Sequence, residues 1–214
     1  AQFAREYEAR FTDESSGYFS PKKLEEATIS AGEFPHVKVK GDPAKEYILA
    51  IDPNYDDSET SDHFGMCVAE LNHDKRIGTV IHNYALSKSN LVKRAKYLKY
   101  LLENFNIVYI IVDKAGGIKF IQDVNELNIL PYKLEFFEQD FENDNYEEGL
   151  QNSRNSYNLT AHRIVHIQYF SPTWIRMSNE SLQADIENKQ IWFASEIDAL
   201  HEGAFDSYEI RDSH

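Results

Sequence analysis

The apolar positions change period several times along the chain, and each change predicts an element. "YILAIDP" (47–53) is nearly continuous in apolar residues until Asp52 and reads as a buried strand. "HFGMCVAELN" (63–72) reads as a second strand and "RIGTVIHNYAL" (76–86) as a third, with the polar turn "HDK" between them. Three consecutive strands on short connections predict an antiparallel meander. From about Lys88 to Phe105 the period lengthens: Leu91, Ala95, Leu98, Leu102 and Phe105 recur at three- and four-residue steps, one apolar face of a helix. Lys93, Arg94, Lys96 and Lys99 fall mostly off that face and predict a solvated side. "IVYIIVD" (107–113) has the near-continuous β-branched run that a strand covered on both faces requires. "KAGG" and a helical stretch from Ile118 to Leu127 follow, then "LPYKLEFF" (130–137) as a further strand.

The remaining segments are less regular. Before residue 46 the chain reads as a lead-in of aromatic anchors mixed with charge. Within it Ser20 and Pro21 predict a helix cap and first turn, opening a short helix through Ile29. "KGDPAKE" (40–46) is a turn-rich boundary. "EQDFENDNYEEGLQNSRNSYN" (138–158) is acidic, rich in amides and without period, and reads as a surface loop. Order resumes with "RIVHIQYF" (163–170) as a strand. "SPTWIRMSNESLQADIEN" (171–188) then predicts a helix capped by Ser171 and Pro172, running into "KQIWFAS". The sum is an α/β sheet with an antiparallel front half and a parallel back half.

Composition narrows the class. The 214 residues are 42% hydrophobic and 13% aromatic, enough for one sizeable core. A single cysteine, Cys67, cannot form an internal disulfide, which fits a reducing, intracellular setting. No apolar run approaches the ~20 residues of a membrane span, so no membrane partner is expected. The chain opens on Ala rather than Met, as a fragment or processed product does. Against 36 acidic residues stand 22 basic ones, a formal charge of −14, which argues against gripping nucleic acid by bulk electrostatics. A local basic strip and a metal remain compatible with it. Eight scattered histidines form no zinc spacing.

The chemistry concentrates in carboxylates at strand ends. Asp52 and Asp113 each close an apolar strand. Where two such strands run parallel, their carboxyl ends meet at the edge where ligands bind. Two carboxylates meeting there repel, and a cation offsets that repulsion. Hard oxygen ligands with water completing the shell suit Mg²⁺ or Mn²⁺, and a pair of such ions is a known solution for phosphodiester hydrolysis. An aspartate at a strand end also serves as a turn-former or a helix cap. Asp56, Asp57 and Glu59 read as solvated turn residues, and Asp62 stands where the second strand begins and could point back toward Asp52. Lys114 follows Asp113 directly and could contact a phosphate. "KAGGIK" sets backbone amides ahead of a helix start, an arrangement that suits an anion. Serine-nucleophile and phosphate-loop motifs are missing from the sequence, and Cys67 reads as buried.

At this point the residues resemble a family: the nuclease domain of the tailed-bacteriophage terminase large subunit, of the ribonuclease H-like superfamily. "FAREYEARFTDESSGYFSPKKLEEA" resembles the segment that joins packaging ATPase to nuclease, and "AIDPNYDDSETSDHFGMCVAEL" the first-strand motif with its two aspartates. "IIVDKAGG" resembles the later strand's acid followed by glycine, and "HIQYFSPTWIRMSNESLQADIENKQIWF" the helix and strand before the last catalytic acid. The resemblance implies a ribonuclease H-like fold over residues 46–214, after a lead-in over 1–45. It implies a metal-dependent endonuclease that cuts concatemeric double-stranded DNA with two Mg²⁺ or Mn²⁺ ions. Asp52 and Asp113 match the first two metal ligands and Asp62 the auxiliary acid. For the third ligand the best match is Asp212, with Asp206 second. The family places a helix after that acid, and two residues follow Asp212 here. Lys114 and Lys119 would face the nucleic acid. The implied partners are the packaging ATPase domain of the same protein, the portal and the small terminase subunit, in the cytoplasm of an infected bacterium. Three rivals share parts of the pattern: a recombination or transposition nuclease, a non-catalytic docking module of the packaging motor, and an actin-like ATPase. The first would carry a stronger basic surface, and the last would need glycine in "PNYDDSETSD".

Overall fold

The computed structural model describes residues 19–29, 38–53, 64–86, 90–137 and 164–194. Helix α1 (Pro21–Glu26) leads into β1 (Thr28–Ile29), and β2 (Glu46–Asp52), β3 (Phe64–Asn72) and β4 (Ile77–Leu86) follow. Helix α2 (Leu91–Asn104), β5 (Ile107–Asp113), α3 (Lys114–Leu127) and β6 (Glu135–Phe136) come next. The last elements are β7 (Ile164–Gln168), α4 (Pro172–Glu187) and β8 (Ile191–Ala194). The eight strands form one sheet in the order β1-β8-β4-β3-β2-β5-β7-β6. β2, β3 and β4 are antiparallel, whereas β5 and β7 run parallel to β2. The sheet is therefore mixed, antiparallel over β2–β4 and parallel from β2 through β5 to β7, as the strand pattern predicts.

Alternation on the strands decides which side chains enter the core. Tyr47, Leu49 and Ile51 of β2 are buried, as are Phe64, Met66 and Val68 of β3. They join Ile110 and Val112 of β5, and Leu98 and Leu101 of α2 with Phe120 and Ile121 of α3 cover them. Each such side chain contributes roughly 1.5–3 kcal/mol on burial. The opposite sheet face carries the intervening residues, among them Ala50, Asp52, Cys67 and Asp113.

Several expectations need correction. The basic group on α2 is not uniformly solvated: Arg94 is only 5% exposed, with its guanidinium 4.9 Å from the centroid of the Phe64 ring. The buried stripe is Arg94, Ala95, Tyr97, Leu98 and Leu101, with Leu91 and Leu102 half-buried. The apolar count misplaced that stripe because a guanidinium stacked on an aromatic ring can enter the core. The short first helix stops at Glu26, and Thr28–Ile29 instead pair with β8 in parallel. Ser20 makes no side-chain capping bond there, unlike Ser171, whose Oγ accepts from the Trp174 amide at 3.1 Å. "LPYKLEFF" supplies only the two residues of β6 to the sheet, as an edge strand. The loop read at 138–158 lies outside the described residues.

Candidate metal centre

β2 and β5 position the first two candidate residues. Their parallel pairing sets Ala50 opposite Ile111 and Ile51 opposite Val112. Ile51 and Val112 both point into the core, so the next residue on each strand, Asp52 and Asp113, points to the other face. Neighbouring strands lie about 4.8 Å apart. The two carboxylates therefore stand side by side at the carboxyl edge of parallel strands.

The register extends this row in both directions. Asp52 faces Gly65 on β3, and Gly65 faces Ala85 on β4. On the other side Asp113 faces Gln168 on β7. Two carboxylates are thus flanked by an amide on one side and by small residues on the other. A row with glycine and alanine beside Asp52 leaves the space above the carboxylates open. One row deeper come Asn83, Cys67, Ala50, Ile111 and His166, with His166 buried and stacked on Tyr109.

A cleft of about 400 Å³ opens over these rows. Asp52, Asp113, Gly65, Cys67 and Asn83 line it, and Phe170 and Trp174 form its other wall. Asp52 is exposed and Asp113 is half-buried.

Asp113 has a structural task. Its carboxylate accepts from the Ala115 amide at 3.2 Å and so caps α3. Ala115 and Gly116 leave helical geometry, with Gly116 at φ 89°, a region that favours glycine. Gly117 then passes so close to β5 that an added Cβ would sit 2.7 Å from Val112 Cγ2. "KAGG" is accordingly a tight strand-to-helix turn, and one of its amides is occupied by Asp113. The helix-cap reading of a strand-end aspartate holds for this residue, and the cap uses one carboxylate oxygen and leaves the other.

Other candidates divide clearly. Lys114 is exposed at the start of α3, its Nζ 5.5 Å from the centroid of the Tyr169 ring. Lys119 ion-pairs with Asp123 one turn along the same helix. Cys67 lines the cleft wall, where burial pushes its thiol up to about 11, so it stays protonated and is no nucleophile. Asp62, Asp206 and Asp212, with Asp56, Asp57 and Glu59, lie outside the described residues. Among the described residues no three of the His, Cys, Asp and Glu side chains gather as a metal cluster. Sequence reasoning missed Gln168, Asn83, Phe170 and Trp174. Gln168 had a usable signal, a polar residue ending an apolar strand as Asp52 and Asp113 do. The others enter the cleft only through register and helix packing.

No protein-family model and no curated protein sequence matches the chain. Among solved structures it is similar to the large terminase nuclease from thermophilic phage G20c, with a TM-score of 0.45 and 11% identity over 73% of this chain. The chain spans 62% of the length of that structure. It is also similar to the large terminase nuclease domain of bacteriophage SPP1 with bound Mn, at TM-score 0.34 and 14% identity, covering 67% of this chain and 68% of that one. The P22 large terminase nuclease domain matches at TM-score 0.37 and 13% identity, covering 86% of this chain and 99% of that one.

Proposed function

We propose that this chain is a divalent-metal-dependent DNA endonuclease domain whose centre is built on Asp52 and Asp113. One observation carries the reading: parallel pairing of β2 and β5 brings these two carboxylates together at the mouth of a solvent-open cleft. The donor set fits Mg²⁺ or Mn²⁺, hard cations that take carboxylate oxygens and complete their shells with water. When bound, such ions supply an activated water and steady the leaving oxygen of a phosphodiester.

The chain's own residues do the positioning. The Asp113 carboxylate is held in place by its bond to the Ala115 amide, so the side chain is pre-oriented before any ligand arrives. Gly65, facing Asp52 across the β2–β3 ladder, keeps the approach to that carboxylate clear. Lys114 sits one residue beyond Asp113 and offers a cation to a phosphate of the bound strand. Asp62 and Asp212 are the proposed further ligands, on the sequence resemblance alone. That resemblance also supports the finer role, cutting concatemeric double-stranded viral DNA during packaging beside an ATPase domain, portal and small terminase subunit in an infected bacterium.

The test is plasmid nicking in Mn²⁺ or Mg²⁺. Wild type should convert supercoiled plasmid to nicked and linear forms, chelation should stop it, and Asp52→Asn should abolish it with the circular dichroism spectrum unchanged. Full cleavage by Asp52→Asn would sink the site. A folded wild-type chain with neither cleavage nor any thermal response to Mn²⁺ would instead favour a docking module.

A further inference from the structure

The acid cleft has a second wall of different chemistry. Phe170 and Trp174 stack at 4.5 Å between centroids and 21° between planes, and both line the cleft that holds Asp52 and Asp113. Phe170 is 41% exposed and the adjacent Tyr169 63% exposed. Tyr169 lies beneath the Lys114 ammonium, which forms no ion pair among the described residues. An apolar contact across a helix start often serves only to staple the chain as it enters the helix. A staple would account for the mutual contact of Phe170 and Trp174. It does not account for their forming the wall of the carboxylate cleft.

We infer that this wall is a base-stacking subsite, and that the strand cut at this centre is engaged with a nucleotide unpaired and laid against Phe170 and Trp174. The inference rests on the nuclease reading and adds the state of its substrate. A nucleotide has an anionic end and a flat apolar end, and the cleft is divided the same way. Its carboxylates would face the phosphate through a cation, and the aromatic rings would face the base. Stacking needs a base face that a closed duplex does not expose, so the subsite selects single-stranded or locally opened DNA. Lys114 adds charge complementarity to the flanking phosphate. The platform is pre-set: Ser171 turns back through its amide to the Tyr169 carbonyl at 3.1 Å, and its Oγ holds the Trp174 amide.

Binding in Ca²⁺, with no requirement for turnover, tests this. A single-stranded oligodeoxynucleotide should quench tryptophan fluorescence, and a blunt duplex of the same sequence should bind about tenfold more weakly with little quench. Trp174→Ala and Phe170→Ala should each weaken single-strand binding by about tenfold. Trp174→Phe should remove the quench yet retain most of the affinity, because phenylalanine still stacks. Equal affinity for both DNA forms, or unchanged affinity in the two alanine variants, overturns the subsite. Neither result bears on nicking of plasmid, which tests the nuclease reading separately. Quench and strand preference in a chain that never cleaves would overturn that reading alone.

Discussion

Asp52 and Asp113 stand next to each other across two parallel strands, one step beyond the pair Ile51 and Val112. The core fixes this juxtaposition. Ile51 and Val112 are both buried on the helix-covered face, and a one-residue slip of either strand would turn its aspartate into the core.

The proposed ligand role of Asp113 and its observed helix cap can be separated by substitution. Asparagine caps a helix about as well as aspartate, whereas alanine does not. Asp113→Asn should leave thermal stability nearly unchanged and reduce Mn²⁺-dependent nicking on the order of a hundredfold or more. Asp113→Ala should show the same loss of cleavage and also lose about 1 kcal/mol of stability in urea titrations. If Asp113→Asn cleaves like wild type, the residue is a cap and no ligand.

The turn that follows is intolerant of a methyl group. Gly117→Ala would drive a Cβ to 2.7 Å from Val112 Cγ2, and overpacking of this kind costs about 1–3 kcal/mol. Gly116→Ala meets a different obstacle, a φ of 89°, and should cost about 1–2 kcal/mol. Chemical denaturation of both variants checks the pair. A wild-type midpoint for Gly117→Ala would show that β5 and α3 do not approach this closely.

His82 makes stability depend on pH. It is 1% exposed, its Nδ1–H donates to the Lys38 carbonyl at 2.8 Å, and its Nε2 accepts from the Tyr97 hydroxyl at 2.5 Å. Desolvation lowers its pKa below 6.5 in the folded chain, despite the opposing bond to Lys38. The unfolded chain therefore binds the proton more readily. This contribution is complete above about pH 6.5 and is lost as pH falls from there toward the folded pKa. Urea midpoints should drop between pH 7.5 and 5.5, and His82→Gln should flatten part of that drop. Glu70 is also lowered, from 4.5: its desolvation pushes upward, and the bonds and charges of Lys38 and Lys45 together outweigh it. Its contribution is lost only below that range, so it does not obscure the measurement.

Cys67 should be nearly inert to thiol reagents. With its pKa near 11, roughly one thiol in a thousand is ionised at pH 8, against about a quarter for an ordinary cysteine. Labelling should be at least roughly a hundredfold slower in the folded chain than in denaturant. Rapid labelling under native conditions would contradict the packing of that cleft wall.

The sequence by itself determined most of the element order. Long apolar runs such as "IVYIIVD", and the three-strand meander before it, survive as strands because β-branched runs favour extended backbone, although only Ile107, Ile110 and Val112 of that run are fully buried and its other face lines the cleft. It also singled out Asp52 and Asp113, since an acid ending such a run is visible without coordinates. What it could not determine was the exact face of α2, where Arg94 is buried through contact with a ring from β3, 30 positions away in the chain. Nor could it show that Thr28–Ile29 leave the helix to pair with β8. The cleft's other wall was equally hidden, because Phe170 and Trp174 reach the carboxylates only once β7 has taken its place beside β5. Local periodicity reports which residues are apolar and at what spacing. Which strands become neighbours, and in what register, is decided by packing between distant segments, and that packing is what turns two separate aspartates into one candidate centre.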